Sequence, residues 1–225
     1  MLTQHAPTLW TIDHALTVGG FLPMGTRTTV LRIGDGRLVV LAPGDLAEAD
    51  IAAVRALGTV AAVVAPNLLH HMFLAKAAAA FPGAEVWAAP GVEKKVKVAV
   101  THVFDGRGGP WGDSLAVHAL AGAPKLGETV VFDPASRTLV VTDMCFNHRD
   151  VEGWFARINL QMLDAYGKFG PSWLMRNVYI GDKAAFRKSV DHVLDWDFER
   201  VVLTHGEIVQ SGGRDGLREA FAYLG

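Results

Sequence analysis

The stretch Val60-Ala61-Ala62-Val63-Val64-Ala65-Pro66-Asn67-Leu68-Leu69-His70-His71 decides how this chain folds. Six apolar residues in a row, three of them valine, make a strand buried on both faces, as in a parallel sheet covered by helices. Pro66 and Asn67 stop the run, because proline has no ladder N–H and asparagine favours a turn. Two imidazoles follow directly. Layered α/β folds place reactive groups in the loops after buried strands, so the same stretch predicts an architecture and a place for chemistry.

The flanking sequence repeats this grammar. Thr28 to Ile33 and Arg37 to Leu41 flank Gly34-Asp35-Gly36 and read as a hairpin. Asp45 stands three residues before Glu48, like the ends of a capping box, and Leu46, Ile51, Val54 and Leu57 recur on one helical face until Gly58. Met72 to Phe81 predicts a second helix and Ala84 to Ala89 another strand. Further on, Ser114 to Leu120, Glu128 to Asp133 and Thr138 to Thr142 read as strands. Asp182 is placed to cap a helix whose face is Phe186, Val190, Val193 and Leu194. Arg200 to Thr204 is a last buried strand before a helix from Arg214 to Leu224. With no linker, low-complexity tract or short repeat, residues 1–225 read as one α/β domain with sheet inside and helices outside. Between Arg149 and Ile180 large apolar groups recur at helical spacing; such a stretch is ordinarily core, and otherwise a lid over a site or a contact between two copies.

Composition narrows the chemistry. Of 225 residues, 21 are basic and 23 acidic, a formal charge of −2, which provides no field to gather nucleic acid or an anionic membrane. The run from Ile51 to Pro66 is broken by Arg55 and is too short for a membrane helix. One cysteine, Cys145, excludes a disulfide framework and suits a reducing compartment, and MLTQHAPTLW carries no export signal, so a cytoplasmic protein is expected. Any metal chemistry must come from the nine histidines and the carboxylates. Three strand ends carry such groups: His70 and His71 after Ala65, Asp143 after Thr142, and His205 with Glu207 after Thr204. Converging, they would form a nitrogen and oxygen site for zinc, iron or manganese. His102 and His118 lie in strand-like runs, Cys145 reads as a buried thiol, and His5, His14 and His192 take no role.

This arrangement resembles the metallo-β-lactamase superfamily, a four-layered αββα sandwich whose first metal loop reads Thr-His-x-His-x-Asp-His. On that motif Pro66 and Leu68 replace the first two histidines, His70 takes the place of the aspartate, and His71 keeps the last histidine. Asp143 matches the metal-bridging carboxylate and His205 the late Pro-Gly-His-Gly strand end, while the histidine expected near Gly122 to Thr129 is absent and Glu128 is the nearest group with ligand chemistry. The chain from Leu9 to Leu224 further resembles a bacterial branch of the superfamily, a domain family of unknown function. Gly25 to Val30, Ala65 to Asn67 with His70-His71, Ser136 to Leu139 with Asp143 and Asn147, and Trp196 to Val201 with His205-Gly206-Glu207 carry that likeness.

The resemblance implies that the first metal position is empty, since proline and leucine coordinate nothing. One divalent ion, zinc before iron or manganese, would then be held by His71, Asp143 and His205 with His70 as a fourth ligand. Glu128 or Glu207 would be a fifth ligand or the base that positions water. Asn67 and Asn147 would line the pocket. The expectation is a mononuclear metal-dependent hydrolase acting on a small molecule; the alternative is a catalytically degenerate scaffold that binds a small molecule or a partner.

Overall fold

In a computed structural model describing residues 1–19, 22–151 and 153–225, the chain opens with strands β1 (Leu2–Ala6) and β2 (Leu9–His14) and a small pair, β3 (Thr17–Val18) and β4 (Leu22–Pro23). Then follow β5 (Thr26–Arg32), β6 (Leu38–Leu41), helix α1 (Glu48–Leu57), β7 (Val60–Ala65), α2 (Leu74–Ala80), β8 (Glu85–Ala88) and β9 (His102–Val103). The second half runs β10 (Ala116–Ala119), β11 (Thr129–Asp133), β12 (Thr138–Val141), α3 (Trp154–Met162), α4 (Lys183–Leu194), β13 (Arg200–Leu203) and α5 (Gly213–Ala220).

Two sheets result. The first has the order β1-β2-β5-β6-β7-β8-β9 and the second β10-β11-β12-β13. The β6, β7 and β8 strands run parallel, as do β12 and β13, so several strands end on the same side. Period-two alternation builds the layers. Val39 and Leu41 face Val131, Val140 and Val202 between the sheets, whereas Leu38 and Val40 face α1 and α2. Likewise Leu139, Val141, Val201 and Leu203 turn outward onto α4, whose Phe186, Val190 and Val193 are buried there. Helices outside two face-packed sheets give the expected αββα sandwich.

The differences from the sequence reading are local. The first sheet gains β1 and β2, which no sequence signal had marked, although Leu9 to Ile12 is fully buried. Helix α1 starts two residues late for the Asp45–Glu48 box: Ala47 is the cap, its N–H donates to Asp50 Oδ2 at 3.2 Å, and Asp45 instead pairs with Lys76 at 2.6 Å. Asp182 does cap α4, accepting the Ala185 N–H at 3.0 Å. The 149–180 stretch is not plain core, since α3 buries Ala156 and Leu160 but exposes Trp154 and Met162. No helix among the described residues is long and apolar enough to cross a membrane.

Candidate metal centre

Three strand ends meet where β7, β12 and β13 finish. The loop after β7 is shaped by Asn67, wholly buried, whose Oδ1 accepts the N–H groups of Leu69 at 2.9 Å and His70 at 2.8 Å. This Asx-type turn aims His70 inward. The Asn67 amide nitrogen then reaches across to donate to Asp143 Oδ2 at 2.6 Å and Thr142 Oγ1 at 2.8 Å. One side chain therefore fixes two candidate ligands from different sheets.

Glu128 fixes the second loop from below. Its carboxylate accepts three backbone N–H groups, from Thr142 at 2.6 Å, Asp143 at 2.9 Å and Met144 at 2.8 Å. Burial and the Asp143 charge push its pKa up to about 7, against the pull of those donors. The expectation that Glu128 is a ligand or a water-positioning base is corrected: both its oxygens are engaged by the backbone, and it is a positioning residue.

The third candidate ligand, His205, is oriented through one ring nitrogen. Nδ1 lies 2.8 Å from the carbonyl of Gly25, which can only accept, so Nδ1 carries the proton and Nε2 presents its lone pair. The ring stacks on Phe146 at 5.5 Å. Arg27 steadies this loop by donating to the carbonyls of Leu203 at 2.6 Å and Gly206 at 2.8 Å. Gly206 sits at φ +89°, where a Cβ would lie 2.4 Å from the Asn147 backbone, so the loop can close there only with glycine.

The donor atoms converge. His70 Nε2 is 3.0 Å from Asp143 Oδ2, His205 Nε2 is 3.2 Å from His70 Nε2, and His205 Nε2 is 3.6 Å from Asp143 Oδ1. Tetrahedral coordination at bond lengths of about 2.0–2.2 Å separates ligand atoms by about 3.3–3.6 Å. Two imidazoles and one carboxylate close to this spacing, drawn slightly together at 3.0 and 3.2 Å and offering one atom each within 4.8 Å of one another, could hold a divalent ion. The electrostatics agree. Burial works against the charge of Asp143, yet His70, His205 and the Asn67 amide hold its pKa down at about 2. Burial lowers His205 to about 4, leaving it neutral, as a metal ligand must be. Burial opposes charge on His70 as well, but Asp143 and Glu128 raise its pKa above the ordinary value.

Other expectations shift. His71 is not part of the cluster: the Asx turn sends it away, its pKa is lowered by burial and by Lys95, and its buried Nδ1 has no hydrogen-bond partner. The candidate ligand from this loop is His70. Glu207 is exposed and its backbone, not its carboxylate, meets Asn147, which it pairs with at 2.8 and 2.9 Å. Asn67 and Asn147 do not line the cavity but brace its floor. Cys145 is buried as expected.

Above the cluster opens a cavity of about 310 Å³. Leu16, Met24, Leu69, Phe73 and Leu174 form most of its wall; Thr26, Ser172 and Tyr179 add the only hydroxyls among the described lining residues. Tyr179 and Ser172 lacked a sequence signal. They come from the far end of the 149–180 stretch, where residues Met175–Tyr179 form a π-helical turn, a distortion common beside functional sites. Gly25 and Arg27, which orient the His205 loop, sit in a segment that the sequence marked only through resemblance.

Comparisons place this arrangement among known folds. The structure of DIM-1 metallo-β-lactamase exposed to ceftazidime superposes with a TM-score of 0.68 at 12% identity, over 100% of this chain and 97% of that one. A metallo-β-lactamase from Pontibacter korlensis gives 0.67 at 13% identity, over 100% and 98%. A metal-soaked Flv1 flavodiiron core from Synechocystis sp. PCC6803 gives 0.68 at 12% identity, over 100% of this chain and 60% of that one. At such identities the likeness shows the fold alone. No curated protein sequence matches the chain. Residues 6–159 match the family model described as "Domain of unknown function (DUF4336)", and the chain belongs to that family, built on the metallo-β-lactamase fold.

Proposed function

We propose that the protein is a mononuclear metal-dependent hydrolase of small molecules, with His70, Asp143 and His205 as the ligands. The observation that carries this reading is the position of three converging donor groups, whose nearest atoms lie 3.0 to 3.6 Å apart, at the inner end of a ligand-sized cavity. Zinc suits two neutral imidazoles and a carboxylate, and the same set also suits iron or manganese. A single ion is supported because Pro66 and Leu68 offer no donors and His71 stands outside the cluster. When bound, the ion supplies Lewis acidity and a lowered pKa for a water in its coordination sphere. The rest of the work belongs to the chain. Glu128 and Asn67 hold the Asp143 and His70 loops before the ion arrives, which lowers the cost of assembling the site. Gly25 fixes the His205 tautomer. Tyr179 and Ser172 offer hydroxyls among the cavity's lining residues, available to orient a polar group of the substrate. Cys145 stays reduced and buried, in keeping with a cytoplasmic setting.

Metal titration tests the reading. Wild-type protein is expected to bind one equivalent of zinc. His205→Ala should weaken that affinity more than about 100-fold, beyond the 10- to 100-fold typical of changes outside the ligand set. His71→Ala should leave it within about threefold of wild type. Protein that takes up no metal, or that loses it equally in both variants, would refute the assignment.

A further inference from the structure

We infer that the substrate is an uncharged, largely apolar carboxylic ester, with the ester group at the His70–Asp143–His205 end and the hydrocarbon in the apolar cavity. This rests on the hydrolase reading above and narrows its substrate class. The wall residues carry it. Leu16, Met24, Leu69, Phe73 and Leu174 line the cavity, and no Lys or Arg is among the described lining residues. A carboxylate or phosphate on the part of the substrate that lies along the wall would sit in an apolar chamber with no counter-charge. An ester whose hydrocarbon lies along that wall avoids the penalty, because its carbonyl and alkoxy oxygens accept hydrogen bonds without bearing charge. Tyr179 and Ser172 can donate to them.

Size sharpens the class. At about 30 Å³ per heavy atom with its hydrogens, the share of one water in the liquid, 310 Å³ accommodates roughly ten non-hydrogen atoms. That corresponds to a short alkyl ester. The reaction is redox-neutral. Water adds to the acyl carbon, a new C–OH bond forms, the C–OR bond breaks, and the water's second hydrogen goes to the departing alkoxide, giving one acid and one alcohol.

Ethyl hexanoate and monoethyl succinate test the inference, since both have ten non-hydrogen atoms and differ by one carboxylate. Protein carrying 13C-methyl methionine and loaded with zinc is titrated with each ester and followed by methyl NMR, with proton release measured in parallel. Ethyl hexanoate is expected to shift the Met24 and Met72 signals, both at the cavity, and to be hydrolysed. Ethyl butyrate should bind ten- to twentyfold more weakly, at about fourfold per buried methylene. Monoethyl succinate should bind at least tenfold more weakly than ethyl hexanoate, and Leu174→Lys should narrow or invert that ratio. Equal binding of the two esters, or zinc-loaded protein whose Met24 and Met72 signals ignore ethyl hexanoate, would overturn the substrate class while leaving the metal assignment standing. Protein that takes no zinc removes the hydrolase reading, and the ester with it.

Discussion

The floor and the wall of the cavity are built on opposite principles. On the floor, the loops bearing His70, Asp143 and His205 are tied by polar groups that are buried and matched: Glu128 accepts three N–H groups, Asn67 serves both sheets, and Gly25 fixes one ring nitrogen. Behind the wall, α3, none of whose described residues lines the cavity, and the π-helical turn are held by Leu160 and Ala165 against Phe146 and by a short bridge between Phe146 and Gly170. Trp154 is 75% exposed and Met162 76%. Positions that must hold ligand atoms to a fraction of an ångström are over-determined; positions that only have to exclude water are not. The contrast assigns geometry to the floor and selectivity to the wall.

Glu128→Ala strikes the floor hardest. It leaves three buried N–H groups without an acceptor, at about 1–3 kcal/mol each. A loss of at least about 3 kcal/mol is expected, which at about 2–4 °C per kcal/mol for a domain of this size lowers Tm by roughly 6–12 °C or more. Calorimetry of the metal-free protein checks it. Glu128→Gln, which keeps the shape and one carbonyl acceptor, should recover part of the loss. A Glu128→Ala protein as stable as wild type would mean that the floor is not braced from below.

This network explains what sequence could and could not reveal. The layers were legible because Val60 to Ala65, Leu38 to Leu41 and Arg200 to Leu203 are runs whose burial follows from composition and period alone. The strand ends were legible too, since Asp143 and His205 follow buried strands directly. The choice between His70 and His71 was not. It depends on the Asn67 side chain folding back onto the Leu69 and His70 N–H groups, a local bond that a linear motif match ignores. Glu128 has the ligand chemistry that the resemblance requires at its position, yet β12 ends within reach of its carboxylate and turns it to the backbone. Tyr179 and Ser172 join the site only through the path of the 149–180 stretch, which no spacing rule encodes. Strands β1 and β2 escaped notice because the Leu9 to Ile12 run is short and lies beside polar residues.

Acid should also separate floor from wall, with a smaller effect. His205 and His148 have pKa values lowered to about 4, chiefly by burial, and His148 Nε2 is buried without a partner. Unfolded, both titrate near 6.5. Between those values the unfolded chain binds more protons, so stability is fully present above about pH 6.5 and falls as pH drops towards 4. His70 has a raised pKa; its contribution is complete below 6.5 and lost at higher pH, so it cannot offset this decline. Asp143, held at about 2, gives up its contribution only below about pH 3.9. Glu128, raised to about 7 from 4.5, works the other way over the same interval, so the effect of the buried ring is read as a difference between two proteins. From pH 7 to pH 5 metal-free wild type should lose roughly 4 °C more in Tm than His148→Gln. Equal slopes in the two proteins contradict a neutral buried ring at His148.

Helix α3, behind the wall, supplies the smallest effect and the sharpest contrast. Trp154 and Met162 lie on the exposed side of α3, eight residues apart and so on one face, while Ala156 and Leu160 hold the helix to the fold. Replacing either exposed side chain with serine removes little burial, and surface changes away from caps and cores ordinarily stay within about 0.5 kcal/mol. Trp154→Ser and Met162→Ser should therefore leave Tm within about 2 °C of wild type, whereas Leu160→Ala, which opens a void against Phe146, should cost about 2–5 kcal/mol. Running the scans at two protein concentrations gives the comparison its edge. If the serine variants lose stability and wild-type Tm rises with concentration, a second copy covers this face, and α3 belongs to an interface rather than to a free wall.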